Sequence, residues 1–331
     1  IVLMTYGATR ALARWPQRSL GMAATAFLAA ICAGIALILF EAATGRLATL
    51  TLYHFLPFTQ PESLKGFVVR NGEILRIAPG ELNAMVAVML LALWPALLCM
   101  VTRLGGRRGC LAAGVLLVAA SAGTLLSNHE SSKVGLVASL IVFACAIPWP
   151  NVTRKALCLV WCLAFALVVP LATAAYKADL HRSERLPLSA QARVTLWAYT
   201  AEQVAAAPVL GIGASSTRKI DQSPGNRKMQ WRKRLKTEGF GWRAGAHAHN
   251  AFLQTWYELG AVGVILFMVT GSAVLWSLGH LPLKTQRFAL AQAAAFVALI
   301  AFAWGMWPVS YTHLTLPTSS VMWGEGGWGG R

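Results

Sequence analysis

Acidic residues are scarce in this chain: 12 Asp and Glu stand against 29 Lys and Arg in 331 residues, a formal charge of +17. Charged residues of either sign make up only 12% of it. A soluble domain carries about a quarter, so an ordinary soluble domain is excluded. The six cysteines (Cys32, Cys99, Cys110, Cys145, Cys158 and Cys162) all lie in or at the ends of apolar runs, with no ligand-like spacing. They read as buried small hydrophobes, and neither a disulfide framework nor a metal site is expected. Internal repeats are missing as well, which argues against carriers assembled from repeated halves. The strong positive charge raises nucleic acid as a partner. No nucleic-acid fold signature accompanies it and the basic residues are split across a membrane, so that partner is excluded.

What the chain has is hydrocarbon: 56% of its residues are hydrophobic. Apolar runs near 20–40, 82–102, 110–127, 134–149, 156–175, 251–278 and 288–308 are candidates to cross roughly 30 Å of bilayer core, giving about seven spans. The fold class expected is all-α and polytopic. The run at 134–149 is short and must stand nearly upright or abut a polar cavity.

Short loops set orientation. Arg10, Arg14 and Arg18, then Arg103, Arg107 and Arg108, then Arg154 and Lys155, then Lys284 and Arg287 fall on one side under strict alternation, and that side reads as cytoplasmic. Segment 41–81, the Ser127–Ser132 link and the long loop 176–250 then face outward. Segment 41–81 holds Pro57, Pro61 and Pro79 with little periodicity, so a loop with short helical pieces is expected. The loop 176–250 carries 13 Lys and Arg against five acidic residues, about +8. Long loops cross regardless of charge. A solvated or headgroup-hugging loop is one reading, and clustered guanidinium groups binding phosphate-bearing lipid is the other.

The expected organisation is membrane helices over 1–175, a basic outer loop with the site over 176–250, two further membrane helices over 251–308, and a tail from 309. The chain begins with Ile1 and reaches a basic turn within ten residues, which reads as a fragment lacking earlier spans. After Trp307-Pro308 a Gly/Trp-rich tail without helical period follows. It reads as non-native, so His313 is excluded from any site; genomic sequence continuing unchanged through 309–331 would refute that.

Within the long loop, Ser189–Ala207 has helical spacing, with Val194, Trp197, Ala201 and Val204 on one face, Arg193 near its start and Pro208 ending it, and a tight turn follows at Gly211-Ile212-Gly213. A Lys/Arg-rich stretch from Thr217 to Arg243 leads to Ala246-His247-Ala248-His249-Asn250 at the mouth of an apolar helix. Ionisable groups clustered at a membrane boundary mark a site. His249 is the candidate general base, because an imidazole titrates near neutrality and the dipole of the following helix disfavours its protonated form. His247 could orient an acceptor or partner a phosphate. Asn250 could cap the helix or bind ligand. Gln254, one turn on, could bond a sugar or a neighbouring helix. Arg193 and Arg218 are the leading anion ligands, with salt bridges to Glu202 and Asp221 as their bland alternative. Arg243 follows, and the run 227–236 suits lipid phosphates. Glu130 could balance the arginines. Trp197, Trp231, Trp242, Trp256 and Tyr257 fit an interfacial belt.

Four patterns together resemble the O-antigen ligase family, over about residues 80–280. They are His249-Asn250 followed by nine residues and Gly260; Arg193-Val194-Thr195-Leu196-Trp197 with Pro208–Gly213; Arg218 just beyond that turn; and the serine-rich link Ser127–Lys133. One departure is Asn83-Ala84, where many members have Asn-Arg; Arg70 or Arg76 is a speculative substitute. The resemblance implies a GT-C-like membrane glycosyltransferase of the bacterial inner membrane, with its site facing the periplasm. It would move a glycan from undecaprenyl diphosphate to a lipid A-core hydroxyl, with membrane lipids as its other partners. The residues read alone agree on the chemistry. Diphosphate is a good leaving group that arginines stabilise, and no Asp-rich metal motif faces outward, since Asp179 and Asp221 are isolated. A metal-independent, inverting reaction without cofactor is the expectation. An O-antigen or exopolysaccharide polymerase and a protein O-oligosaccharyltransferase use the same donor and stay open. An anionic-lipid transporter is the alternative from another class.

Overall fold

The computed structural model describes residues 14–60, 67–70, 73–77, 79–186, 188–217 and 247–303. In chain order these form α1 (Gln17–Thr44), α2 (Leu47–Phe55), β1 (Phe67–Arg70), β2 (Glu73–Ile77), α3 (Asn83–Leu104), α4 (Gly106–Leu126), α5 (Glu130–Ala146), α6 (Pro150–Lys177), α7 (Leu188–Val204), α8 (Ala251–Ser277) and α9 (Leu283–Ala303). Six helices among the described residues are long and apolar enough to cross a membrane: α1, α3, α4, α6, α8 and α9. The fold class is the all-α polytopic one. The short run at 134–149 lies in α5, which has 17 residues. At about 1.5 Å per residue it stands at the lower limit of spanning length for a roughly 30 Å core, as the short run among the seven expected.

One element differs in kind. The segment expected to hold only loop and helical pieces does contain α2, but it also contains an antiparallel hairpin, β1 against β2. Phe67 pairs with Ile77 and Arg70 with Glu73, with a bulge between Val68 and Val69. The sequence signal was there: Asn71-Gly72 stands between two β-branched runs, the dipeptide that favours a two-residue hairpin turn.

The chain divides into two compact units, Ile1–Leu167 with Ile265–Ile300, and Val168–Val264 with Ala301–Arg331. In the first, Trp94 of α3, Phe143 of α5 and Phe288 of α9 form an aromatic knot, with ring centroids 4.8 and 5.0 Å apart for its two tightest pairs. Leu111, Val115, Val118 and Leu125 stay exposed along α4, at the spacing of one helical face, which suits contact with lipid. The basic ends of this unit are engaged structurally. Arg154 donates to the Trp276 carbonyl at 3.2 Å and lies 4.8 Å over the Trp276 ring. Arg287 donates to the Ile147 carbonyl at 2.8 Å, and Arg103 reaches Thr25 and Gly21. Trp276 and Ile147 end α8 and α5, so two of these cations meet helix C-termini, where positive charge is favoured. A cavity of about 660 Å³ in the same unit is lined by Trp94, Trp161, Phe267, Phe288 and Phe296. The Ser-rich link is a buried cap in this unit: His129 Nδ1 lies 2.6 Å from Ser132 Oγ, and Glu130 pairs with Lys133 at 2.9 Å.

Candidate functional site

The second unit holds the His-Asn motif, and its construction begins with a break in α8. Gly260 has φ +58° and ψ −161° inside the helix, so the regular bonds of Ala261 and Val262 to the carbonyls four residues back are lost. The turn after α7 restores all four groups. Ala261 and Val262 donate to the carbonyls of Pro208 and Val209, at 2.9 and 3.2 Å. In exchange, Ile212 and Gly213 donate to the carbonyls of Tyr257 and Glu258, at 3.0 and 2.9 Å. Broken helices persist at membrane depth only where the freed backbone groups find such partners. The exchange requires two glycines: a Cβ on Gly260 would collide with the Val209 carbonyl, and one on Gly211 (φ +66°) with the backbone of Glu258. The spacing that signalled the family is therefore the spacing of an interlocked turn and helix.

Below the break, Asn250, Gln254 and Glu258 recur every four residues and share one stripe of α8. Asn250 caps the helix: its Oδ1 accepts from Leu253 N at 3.0 Å, and its backbone carbonyl accepts from Gln254 N at 2.9 Å. Gln254 is 5% exposed and its amide is fully committed within the protein. Oε1 accepts from Ala248 N at 2.7 Å, and Nε2 donates to Thr217 Oγ1 at 2.7 Å and Glu258 Oε1 at 2.8 Å. Glu258 accepts in turn from Ser215 N at 2.9 Å and from Thr217 Oγ1 at 2.7 Å. On the other side, Trp197 Nε1 donates to the Ala248 carbonyl at 2.9 Å. The Ala248 peptide groups are pinned from both α7 and α8, over a small core of Ala172, Ala201, Ala248 and Leu253.

His247 and His249 flank that pinned residue. Their rings meet edge to face, with centroids 4.2 Å apart. His249 sits at φ +52°, a left-handed conformation that costs a non-glycine residue about 1–2 kcal/mol; strain of this kind collects at functional sites. Burial, then the charges of His247 and Arg193, hold the His249 imidazole down at about 4. The expected direction is right, but desolvation is the leading cause rather than the helix dipole. Burial lowers His247 as well, and its Nδ1 is buried without a partner among the described residues. Burial also pulls the Arg193 guanidinium below its ordinary value.

The structure thus brings Arg193, His247 and His249 together and sets Asn250 and Gln254 beneath them as scaffold. The α7 face is the expected one: Val194, Ala201 and Val204 are buried and Trp197 is half-buried. Arg218, Arg243, Asp221, Trp231, Trp242, the run 227–236 and the tail 309–331 lie outside the described residues. Sequence reasoning missed Glu258 and Thr217 as site residues. The available signal was an acidic residue four positions beyond Gln254 in an otherwise apolar helix.

The O-antigen ligase family model matches residues 115–268 of this chain, from α4 through the Ser-rich link, α7 and the His-Asn motif to beyond Gly260. The match supports assignment to that family of glycosyltransferases acting as ligases or polymerases. No curated protein and no solved structure matches the chain.

Proposed function

From an O-antigen ligase family domain spanning residues 115–268, we propose that this membrane protein transfers a glycan from undecaprenyl diphosphate to a hydroxyl of lipid A-core sugar, on the periplasmic face of the bacterial inner membrane. The observation that carries the reading is the pinned turn that sets two half-buried histidines beside a half-buried arginine. In the reaction the acceptor oxygen attacks the anomeric carbon of the donor, opposite the bond to diphosphate. The carbon–oxygen bond to diphosphate breaks, undecaprenyl diphosphate leaves, and the anomeric configuration inverts. The hydroxyl proton passes to His249, neutral at physiological pH because burial disfavours its charge. Arg193, with Arg218 and Arg243 from the basic loop, balances the charge gathering on the leaving diphosphate. That same diphosphate raises the His249 pKa once bound, since an anion favours the protonated imidazole. A base too weak in the empty site gains strength in the donor complex. His247 lies against His249 and is placed to orient the acceptor.

Expression in a ligase-deficient Gram-negative host tests this, with lipopolysaccharide resolved on gels for wild type and His249→Ala. A glycan ladder on lipid A-core that vanishes in the variant is the expected result. Polymer lengthened on the polyprenyl carrier, without transfer to lipid A-core, would place the protein among polymerases. Equal behaviour of wild type and variant would remove His249 from the chemistry.

A further inference from the structure

We infer that Glu258 is the positioning residue of this site, fixing through Gln254 the peptide that sets the two histidines. This rests on the transferase reading for its kinetic consequence, but its structural part stands apart from it. Glu258 gathers donors only: Ser215 N at 2.9 Å, Thr217 N at 3.4 Å, Thr217 Oγ1 at 2.7 Å and Gln254 Nε2 at 2.8 Å. A carboxylate offers acceptor sites for all of them, whereas a carboxamide would turn an NH2 toward another donor. Its demand decides how Gln254 faces. With Nε2 held by Glu258 and Thr217, Gln254 Oε1 is left to take the Ala248 N–H at 2.7 Å. Ala248 stands between His247 and His249, and its carbonyl is already held by Trp197. The relay from Glu258 to Gln254 to Ala248 therefore sets the register of the turn, and the same carboxylate closes the 215–217 turn onto α8. An acidic side chain at the mouth of a membrane helix is costly, and this donor set is its physical justification.

The polarity of the relay supplies its test. In the full chain, Glu258→Gln alone and Gln254→Glu alone each place like groups against one another. The exchange Gln254→Glu with Glu258→Gln restores alternation, since a carboxylate at 254 accepts from Ala248 N and from the amide at 258. Hydrogen exchange on the purified membrane protein reads the turn directly, without any activity. Both single variants should exchange roughly tenfold faster over 247–254 and 213–217, the loss expected of a charge-assisted hydrogen bond, and the double variant should return toward wild type. Thr217→Val, a smaller lesion outside α8, should move the same segments less and keeps the test open if the single variants fail to fold.

In transfer assays the single variants should lose about 100-fold in kcat, the scale of a small misplacement of reacting groups, with recovery in the double variant. The acid limb of their kcat/KM profile should also move up from about 4, because a loosened turn admits water to His249, which faces His247 and Arg193. Unchanged exchange over 247–254, or an unmoved acid limb in an active single variant, would overturn the inference. Absence of transfer even in wild type would count against the proposed function alone, leaving the exchange pattern to decide the relay.

Discussion

In the first unit Arg154 and Arg287 donate to backbone carbonyls at the ends of α8 and α5, and Arg103 ties α3 to α1. In the second, Arg193 is half-buried and desolvated, and its charge acts on His249. The contrast shows that the net charge of a membrane protein says little about where it binds anions. Arg154 and Arg287 tie helix ends together through backbone carbonyls, whereas Arg193 lies beside the two histidines, so it is surroundings rather than charge that set residues of equal charge apart.

Four experiments press on that contrast. The largest effect is expected from His249→Ala, whose loss of a general base should slow transfer about 1,000-fold, measured with undecaprenyl-diphosphate glycan in membrane vesicles. Arg193→Ala should cost about 100-fold in the same assay, and Arg193→Lys should recover only part of it, because one ammonium does not reproduce the guanidinium fork. If Arg287→Ala slows transfer as much as Arg193→Ala does, the division into binding and anchoring arginines collapses.

The pH dependence is a subtler test. The free-protein pKa of His249 is about 4, so kcat/KM should stay level between pH 7 and 5.5, where a base of ordinary imidazole pKa would lose about tenfold. The kcat profile, read in the donor complex, should break at higher pH. The stability linkage has the same sign. A depressed folded-state pKa means that the unfolded chain binds more protons between about 4 and the ordinary value of about 6.5. This contribution is therefore complete above that ordinary value and is lost as pH falls through the folded one, which thermal melts across the window would show. Smallest is a ligand-linked shift: inorganic diphosphate should raise the melting temperature of wild type by a few degrees, leave Arg193→Ala unmoved, and raise Arg287→Ala as it does wild type.

Much of the architecture was legible because it depends on local chain properties. Apolar runs revealed the long spans, and Val194, Trp197, Ala201 and Val204 marked one face of α7. The hairpin of β1 and β2 was missed although Asn71-Gly72 carries a turn signal, because the segment was read from its prolines and weak periodicity alone. In the site, His249 and Arg193 could be singled out from chemistry and context, and Asn250 as a cap from its position. Glu258 carried a signal, an acidic residue one turn beyond Gln254 in an apolar helix, but nothing in the sequence named the donors it meets. Nor could the sequence decide for Gln254 between sugar and scaffold, which turns on contacts to Ala248 and Thr217.

By itself the sequence determined that this chain is a membrane protein and which of its loops are basic. Those properties follow from composition, run length and the thickness of a bilayer. Tertiary structure alone decided that Trp197 meets Ala248 51 positions away, that Gln254 meets Thr217 37 positions back, and that the broken helix at Gly260 is completed by the backbone of Pro208 and Val209. Such bonds depend on how helices distant in sequence come to share one small core, and the burial that results is the first cause of the lowered His249 pKa.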